Sequence, residues 1–112
     1  MKIALGCDHG GYELKEKVKK HLTEKGHEVT DFGCHSTESV NYPVYGKVVG
    51  HAVADKEADL GIVICGTGIG IGIAANKVKG VRAALCMNTT MARLTKEHNN
   101  ANVLAMLSLI HI

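Results

Sequence analysis

Short apolar runs alternate with longer amphipathic segments along the whole sequence, and no other feature constrains the fold as strongly. Residues 2–5 (KIAL) read as a strand. Residues 12–25 then carry Leu14, Val18 and Leu22 at i, i+4 and i+8 and close on Gly26 after lysines, the pattern of a helix and its end. Residues 27–32 (HEVTDF) form a second strand. The polar loop after it holds the only proline, Pro43, which suits the entrance to a second helix over 44–56. Val48, Val49, Ala52 and Val53 share one side of that helix, which is expected despite Gly46 and Gly50. The order continues with a strand over 60–65 (LGIVIC), a short helix over 70–78 and a strand over 81–86 (VRAALC). A fourth helix follows over 89–99, capped by Thr89 or Thr90, and then a fifth strand over 103–106.

Strict alternation, with strands apolar on both faces, predicts an α/β fold. The expected form is a doubly wound, Rossmann-like sheet of five parallel strands between two helical layers, three layers in all. A length of 112 residues allows one domain. Aromatics make up 4% of a chain that is 46% hydrophobic, so the core must be built from Val, Ile, Leu and Ala. The formal charge is +2, and the densest basic run, KEKVKK at residues 15–20, reads as a solvated helix face rather than a nucleic-acid footprint. No run of eighteen apolar residues occurs, and the first apolar stretch is too short for a signal peptide. A soluble, cytoplasmic chain with no membrane or nucleic-acid partner is expected. Cys7, Cys34, Cys65 and Cys86 form no C-x-x-C pair and no Cys/His cluster, so free thiols and no metal are expected.

In doubly wound sheets ligands bind beyond the carboxyl ends of the strands. Asp8 and His9 sit there after the first strand, Cys34 and His35 after the second, residues 65–72 after the third, and Cys86 and Asn88 after the fourth. Gly66, Gly68, Gly70 and Gly72 put four glycines in seven residues between a strand and a helix. Such a loop exposes backbone N–H groups at the positive end of a helix and lets an anion approach them. The two-residue spacing fits neither G-x-G-x-x-G nor a P-loop, and no acidic residue ends the next strand to hold a ribose. Cys65 precedes this cradle. It is either a small buried hydrophobe, as Cys7 and Cys86 are expected to be, or a base or nucleophile whose thiolate the helix dipole favours. The adjoining cradle and the Thr67 hydroxyl favour the second reading, because a base beside N–H donors suits proton abstraction next to a carbonyl. Asp8 and His9 either cap the first helix or serve the site. His98 shares a helical face with Met91 and Leu94 and is expected to point toward protein, whereas His21, His27, His35, His51 and His111 are expected at the surface or in loops. Phe32 and Tyr45 are expected in the core.

The blocks GCDHGGYELK, NYP at 41–43, ICGTGIGIGIAANK, GVRAALC and HNNANVLA at 98–105 occur in this order, and together the chain resembles the ribose-5-phosphate isomerase B (RpiB/LacAB) family of sugar-phosphate isomerases. The resemblance covers residues 1–105. It implies a cofactor-free and metal-free aldose–ketose isomerisation through an enediolate, in a homodimer, or a tetramer built from it, with sites at the subunit interface. By position it assigns Cys65 as the base moving a proton between C1 and C2, and His98 to opening of the furanose ring. Asp8 and His9 would bind sugar hydroxyls or the ring oxygen. Thr67 and the backbone of Gly66, Gly68, Ile69 and Gly70 would hold the enediolate, and Tyr42 and Asn99 would line the pocket. Ribose 5-phosphate is the expected substrate, with a hexose phosphate such as galactose 6-phosphate as the alternative. A non-catalytic anion or nucleotide binder, or an inactive fragment, is the alternative from another class.

The resemblance departs after residue 105, where the chain reads MLSLIHI. The family implies a further C-terminal helix there, with basic residues that grip the phosphate. The expectation is one domain over 1–105 lacking that helix, an atypical tail over 106–112, and an uncovered apolar face beside the fifth strand.

Overall fold

The structure, a computed structural model, describes residues 1–110, so the expectation for His111 lies outside the described residues. The strands are β1 (Lys2–Cys7), β2 (Glu28–Asp31), β3 (Leu60–Cys65), β4 (Ala83–Leu85) and β5 (Val103–Leu107). The helices are α1 (Tyr12–Glu24), α2 (Tyr42–Ala54), α3 (Ile69–Asn76) and α4 (Thr89–Asn99), and a 3-10 turn over His9–Gly11 leads into α1. All four strand pairings are parallel, in the order β2-β1-β3-β5-β4. β5 therefore lies inside the sheet and β4 at its edge. The doubly wound three-layer fold is as expected, and among the described residues no helix is long and apolar enough to cross a membrane.

The alternation of side chains along each strand sorts the core into two clusters. Ala4, Val63, Cys65, Val103 and Ala105 face α2 and α3, packing with Val49, Val53, Ile71, Ala75 and Val78. Leu5, Cys7 and Ile64 face α1, with Leu14, Val18, Ile62 and Met106 beside them. Phe32 and Tyr45 pack at the rim of the first cluster, as expected of core aromatics. Gly46 and Gly50 are not defects in α2: a Cβ at Gly46 would stand 2.8 Å from the Ile71 carbonyl oxygen, and one at Gly50 would meet Val78 at 3.0 Å. They permit the close crossing of α2 over α3 on which the core depends.

Several boundaries differ from the sequence reading. α2 starts at Tyr42, with Pro43 inside its first turn, where the missing N–H costs no helical bond. α4 is capped by Asn88, whose Oδ1 accepts from the Met91 N–H at 2.9 Å, rather than by Thr89 or Thr90. β5 runs one residue further than expected, to Leu107, which pairs with Cys65 as Met106 pairs with Ile64. Lys15 departs most from expectation. It belongs to the run read as a solvated face, yet it is fully buried. Its ammonium donates to both Asp31 oxygens at 3.0 and 2.9 Å and to the Cys34 carbonyl at 2.6 Å, and those partners offset the desolvation. On the α1 face an apolar groove is lined by Ile3, Leu60, Ile62 and Leu104, with Ala92 of α4 over it.

Candidate active site

β3 ends at Cys65, and the chain turns through Gly66, Thr67 and Gly68 into α3. Gly68 has φ +73°, and a Cβ there would lie 2.5 Å from Leu85 Cδ1 and 3.1 Å from the Met106 carbonyl oxygen. Conformation and space both require glycine. The turn folds the Gly68 N–H back onto Cys65 Sγ at 3.1 Å, and Thr67 Oγ1 accepts from the Ile69 N–H at 3.3 Å. The N–H groups of Gly66, Thr67 and Gly70 have no hydrogen-bond partner among the described residues. A buried sulfur and unused backbone donors thus meet at the start of one helix, an arrangement suited to holding negative charge.

Two other elements converge there. The Asp8 N–H donates to the Ile64 carbonyl at 3.1 Å, tying the end of β1 to the end of β3. Asp8 Oδ1 caps the 3-10 turn, accepting from Gly10 and Gly11, while Oδ2 makes no hydrogen bond among the described residues. Capping and a site role are therefore compatible in one carboxylate. A Cβ at Gly10 would come within 3.4 Å of the Gly66 nitrogen, so the turn lies against the cradle. His9 Nδ1 accepts from the Val40 N–H at 3.1 Å, which leaves the proton of a neutral ring on Nε2. His9 also borders a cavity of about 230 Å³ with Glu13, Lys17, Thr37 and Ser108. Ser108 donates its N–H to the Cys65 carbonyl at 3.0 Å, which places the cavity next to the cradle. The Tyr42 ring, at the start of α2, covers Gly70: a Cβ there would meet it at 2.8 Å.

His98 and Asn99 are not part of this group. The Asn99 carbonyl accepts from Arg82 Nε at 2.6 Å, and Arg82 precedes β4, so the end of α4 lies at the level where the strands begin. Ala83 and Gly61 both pair with Val103 there, and Cys65 stands four positions further along β3, about 13 Å at ~3.3 Å per residue. The expectation that His98 points toward protein is corrected: Met91, Leu94 and His98 are all exposed. Ala92 and Thr95 form the half-buried side of α4, one residue around the helix from the stripe read in the sequence.

The chain holds four cysteines. All four are free thiols. Burial, with Cys34 Sγ only 3.8 Å away, pushes the Cys7 thiol up to about 12, and burial also raises Cys86. Neither is suited to act as a base at neutral pH. Burial works against the charges of Lys15 and Asp31, but their mutual hydrogen bonds prevail, leaving the ammonium raised and the carboxyl lowered. Asp31 also accepts from the Gly33 N–H, so the pair fixes the loop that leads through Cys34 toward Val40 and His9. The sequence reading missed this support because the partners lie sixteen residues apart. Among the described residues no three His, Cys, Asp or Glu side chains gather in a metal-binding arrangement.

A model of the ribose/galactose isomerase family matches residues 3–111. The chain is 53% identical over 104 residues to ribose-5-phosphate isomerase B of Escherichia coli, an alignment covering 93% of this chain and 70% of that protein. It is 48% identical over 106 residues to the galactose-6-phosphate isomerase subunit LacB of Clostridium acetobutylicum, covering 95% of this chain and 61% of that one. The solved ribose-5-phosphate isomerase B of Clostridium thermocellum superposes with a TM-score of 0.97 at 56% identity, over 98% of this chain and 74% of that structure. With fold, cradle and sequence blocks in agreement, the chain belongs to the ribose/galactose isomerase family.

Proposed function

We propose that the chain interconverts ribose 5-phosphate and ribulose 5-phosphate, with Cys65 as the base. The observation carrying this reading is the Cys65 sulfur at the mouth of a loop whose N–H groups at Gly66, Thr67 and Gly70 have no partner among the described residues. In the open-chain aldose the Cys65 thiolate takes the proton from C2, and the charge that develops on the carbonyl oxygen is held by those N–H groups. The thiol then returns the proton to C1, and the exchange of a hydroxyl proton between O2 and O1 completes the ketose. Asp8, whose Oδ2 has no partner among the described residues, and His9, whose Nδ1 is taken by the Val40 N–H, bind sugar oxygens. Tyr42 and Ile69 border the cradle and exclude water.

Opening of the furanose ring falls to His98, assisted by Asn99, and both come from a second copy of the chain. Within one subunit they stand at the opposite end of the sheet from Cys65, beyond hydrogen-bond reach. A second copy is supported by exposed apolar residues, among them Tyr42, Ile69 and Leu85 beside the cradle and Ile73, Met87 and Met91. The domain is proposed to be the single unit formed by all five strands, in a soluble dimer.

The 48% identity to LacB supports galactose 6-phosphate as a second substrate reading. Initial rates with ribose 5-phosphate, allose 6-phosphate and galactose 6-phosphate separate the two. Turnover confined to the six-carbon sugars overturns the pentose assignment.

A further inference from the structure

α4 carries His98 and Asn99, yet it has no buried residue. Only Ala92 and Thr95 turn toward the sheet, and they sit over an apolar groove rather than in a packed core. Packing therefore does little to set where the last turn of α4 stands. The hydrogen bonds at that turn are mostly local: Ala101 N–H to the Thr95 carbonyl at 3.3 Å, and Lys96 Nζ to Asn100 Oδ1 and the Ala101 carbonyl at 3.4 Å. They shape the left-handed turn at Asn100 (φ +50°) without fixing it against the sheet. Arg82 supplies what they lack. Its Nε donates to the Asn99 carbonyl at 2.6 Å across seventeen residues of sequence.

Arg82 is itself well anchored. Its N–H donates to Asn102 Oδ1 at 2.8 Å, its carbonyl accepts from the Asn102 N–H at 3.0 Å, and Asn102 Nδ2 donates to the Gly80 carbonyl at 3.0 Å. Its guanidinium thus reaches from a pinned backbone to the carbonyl adjoining His98. The bond is charge-assisted and runs to a helix C-terminus, where a cation is favoured. We propose that Arg82 is a positioning residue that sets His98 and Asn99, and so acts on the active site of the other subunit rather than on that of its own chain. The inference rests on the shared-site reading above.

The test uses Arg82→Gln and Arg82→Lys, at an exposed side chain whose removal leaves the core untouched. Amide hydrogen exchange at Glu97, His98 and Asn99 should quicken at least about tenfold in Arg82→Gln, while β3 is unchanged, because a loosened helix end opens locally. Arg82→Lys, which keeps a charged donor, should recover most of the protection. For activity, mixed dimers purified away from both kinds of homodimer are compared in two arrangements. A Cys65→Ala subunit paired with an Arg82→Gln subunit retains one unimpaired site, built from the second subunit's Cys65 and the first subunit's His98. A Cys65→Ala/Arg82→Gln subunit paired with the parent chain carries the same two substitutions but has only an impaired live site. Ribose 5-phosphate turnover should be about tenfold lower in the second arrangement, since small misplacement of a catalytic group carries penalties up to ~100-fold. Equal turnover in the two arrangements, or unchanged exchange at the end of α4, overturns the proposal. A parent chain that does not turn over ribose 5-phosphate counts against the isomerase reading instead, and the exchange result alone then decides whether Arg82 holds α4.

Discussion

Replacing Asp31 by Asn should be among the most destabilising single changes in this chain, although Asp31 lies outside the proposed site. Lys15 is fully buried, and its ammonium is surrounded by the two Asp31 oxygens, the Cys34 carbonyl and Glu16 at 3.3 Å. Asn keeps the shape but removes the charge, leaving a buried cation with one strong acceptor and an acid whose side chain is 44% exposed. Breaking a buried ion pair from one side costs about 3–5 kcal/mol. At roughly 4–5 °C per kcal/mol for a domain of this size, Tm should fall by about 12–25 °C. Lys15→Met should cost less, because Asp31 keeps Lys19 at 3.2 Å and the Gly33 N–H. The assay is thermal and urea unfolding from pH 3 to pH 10. Asp31 is lowered and Lys15 raised on folding, so the pair stabilises at pH values above the ordinary carboxyl range and below the ordinary lysine range. The deficit of Asp31→Asn should be flat between about pH 5 and pH 9 and should shrink as pH falls through the folded Asp31 value, below 3.8. A loss under about 1 kcal/mol at pH 7, or a larger loss in Lys15→Met than in Asp31→Asn, would refute the reasoning.

Two further outcomes follow from the cradle and the dimer. Gly68→Ala combines a left-handed φ with contacts of 2.5 Å to Leu85 and 3.1 Å to the Met106 carbonyl, and should cost about 1–3 kcal/mol in urea unfolding. Its turnover should fall far more than its stability, because the N–H bonded to Cys65 moves; near-parental turnover would contradict the geometry. Mixing Cys65→Ala subunits with His98→Ala subunits should restore activity to mixed dimers, in which one of the two sites is complete. Mixed dimers that form yet remain inactive would rule out a shared site.

Strand–helix alternation is legible because short apolar runs stand apart from longer amphipathic segments, and Cys65 with its cradle is legible because four glycines in seven residues follow an apolar run. What the sequence concealed depends on contacts between distant segments. The Leu14, Val18 and Leu22 stripe shows which side of α1 faces inward, but nothing local marks Lys15, one step around the helix, as buried against Asp31. Helical spacing likewise groups Met91, Leu94 and His98 without revealing that Ala92 and Thr95 are the residues turned to the sheet. The insertion of β5 between β3 and β4 is a matter of pairing, on which a run such as VLAM is silent. Asn88 was passed over as a cap because two threonines follow it, and only the backbone shows where the first helical turn begins. Tyr42 and Asn99 carry no signal of their own and entered through the family resemblance alone.

The central claim, that Cys65 carries the proton between C2 and C1, is tested most directly by following ribose 5-phosphate in deuterated water by proton NMR with the parent chain and with Cys65→Ala. The parent should form ribulose 5-phosphate and incorporate solvent deuterium at C1 whenever the thiol exchanges before returning its proton. Cys65→Ala should lose conversion and incorporation together, by about 10²–10⁴-fold for loss of a general base, while its urea midpoint stays near the parent's. Conversion by Cys65→Ala within a few-fold of the parent would contradict the account.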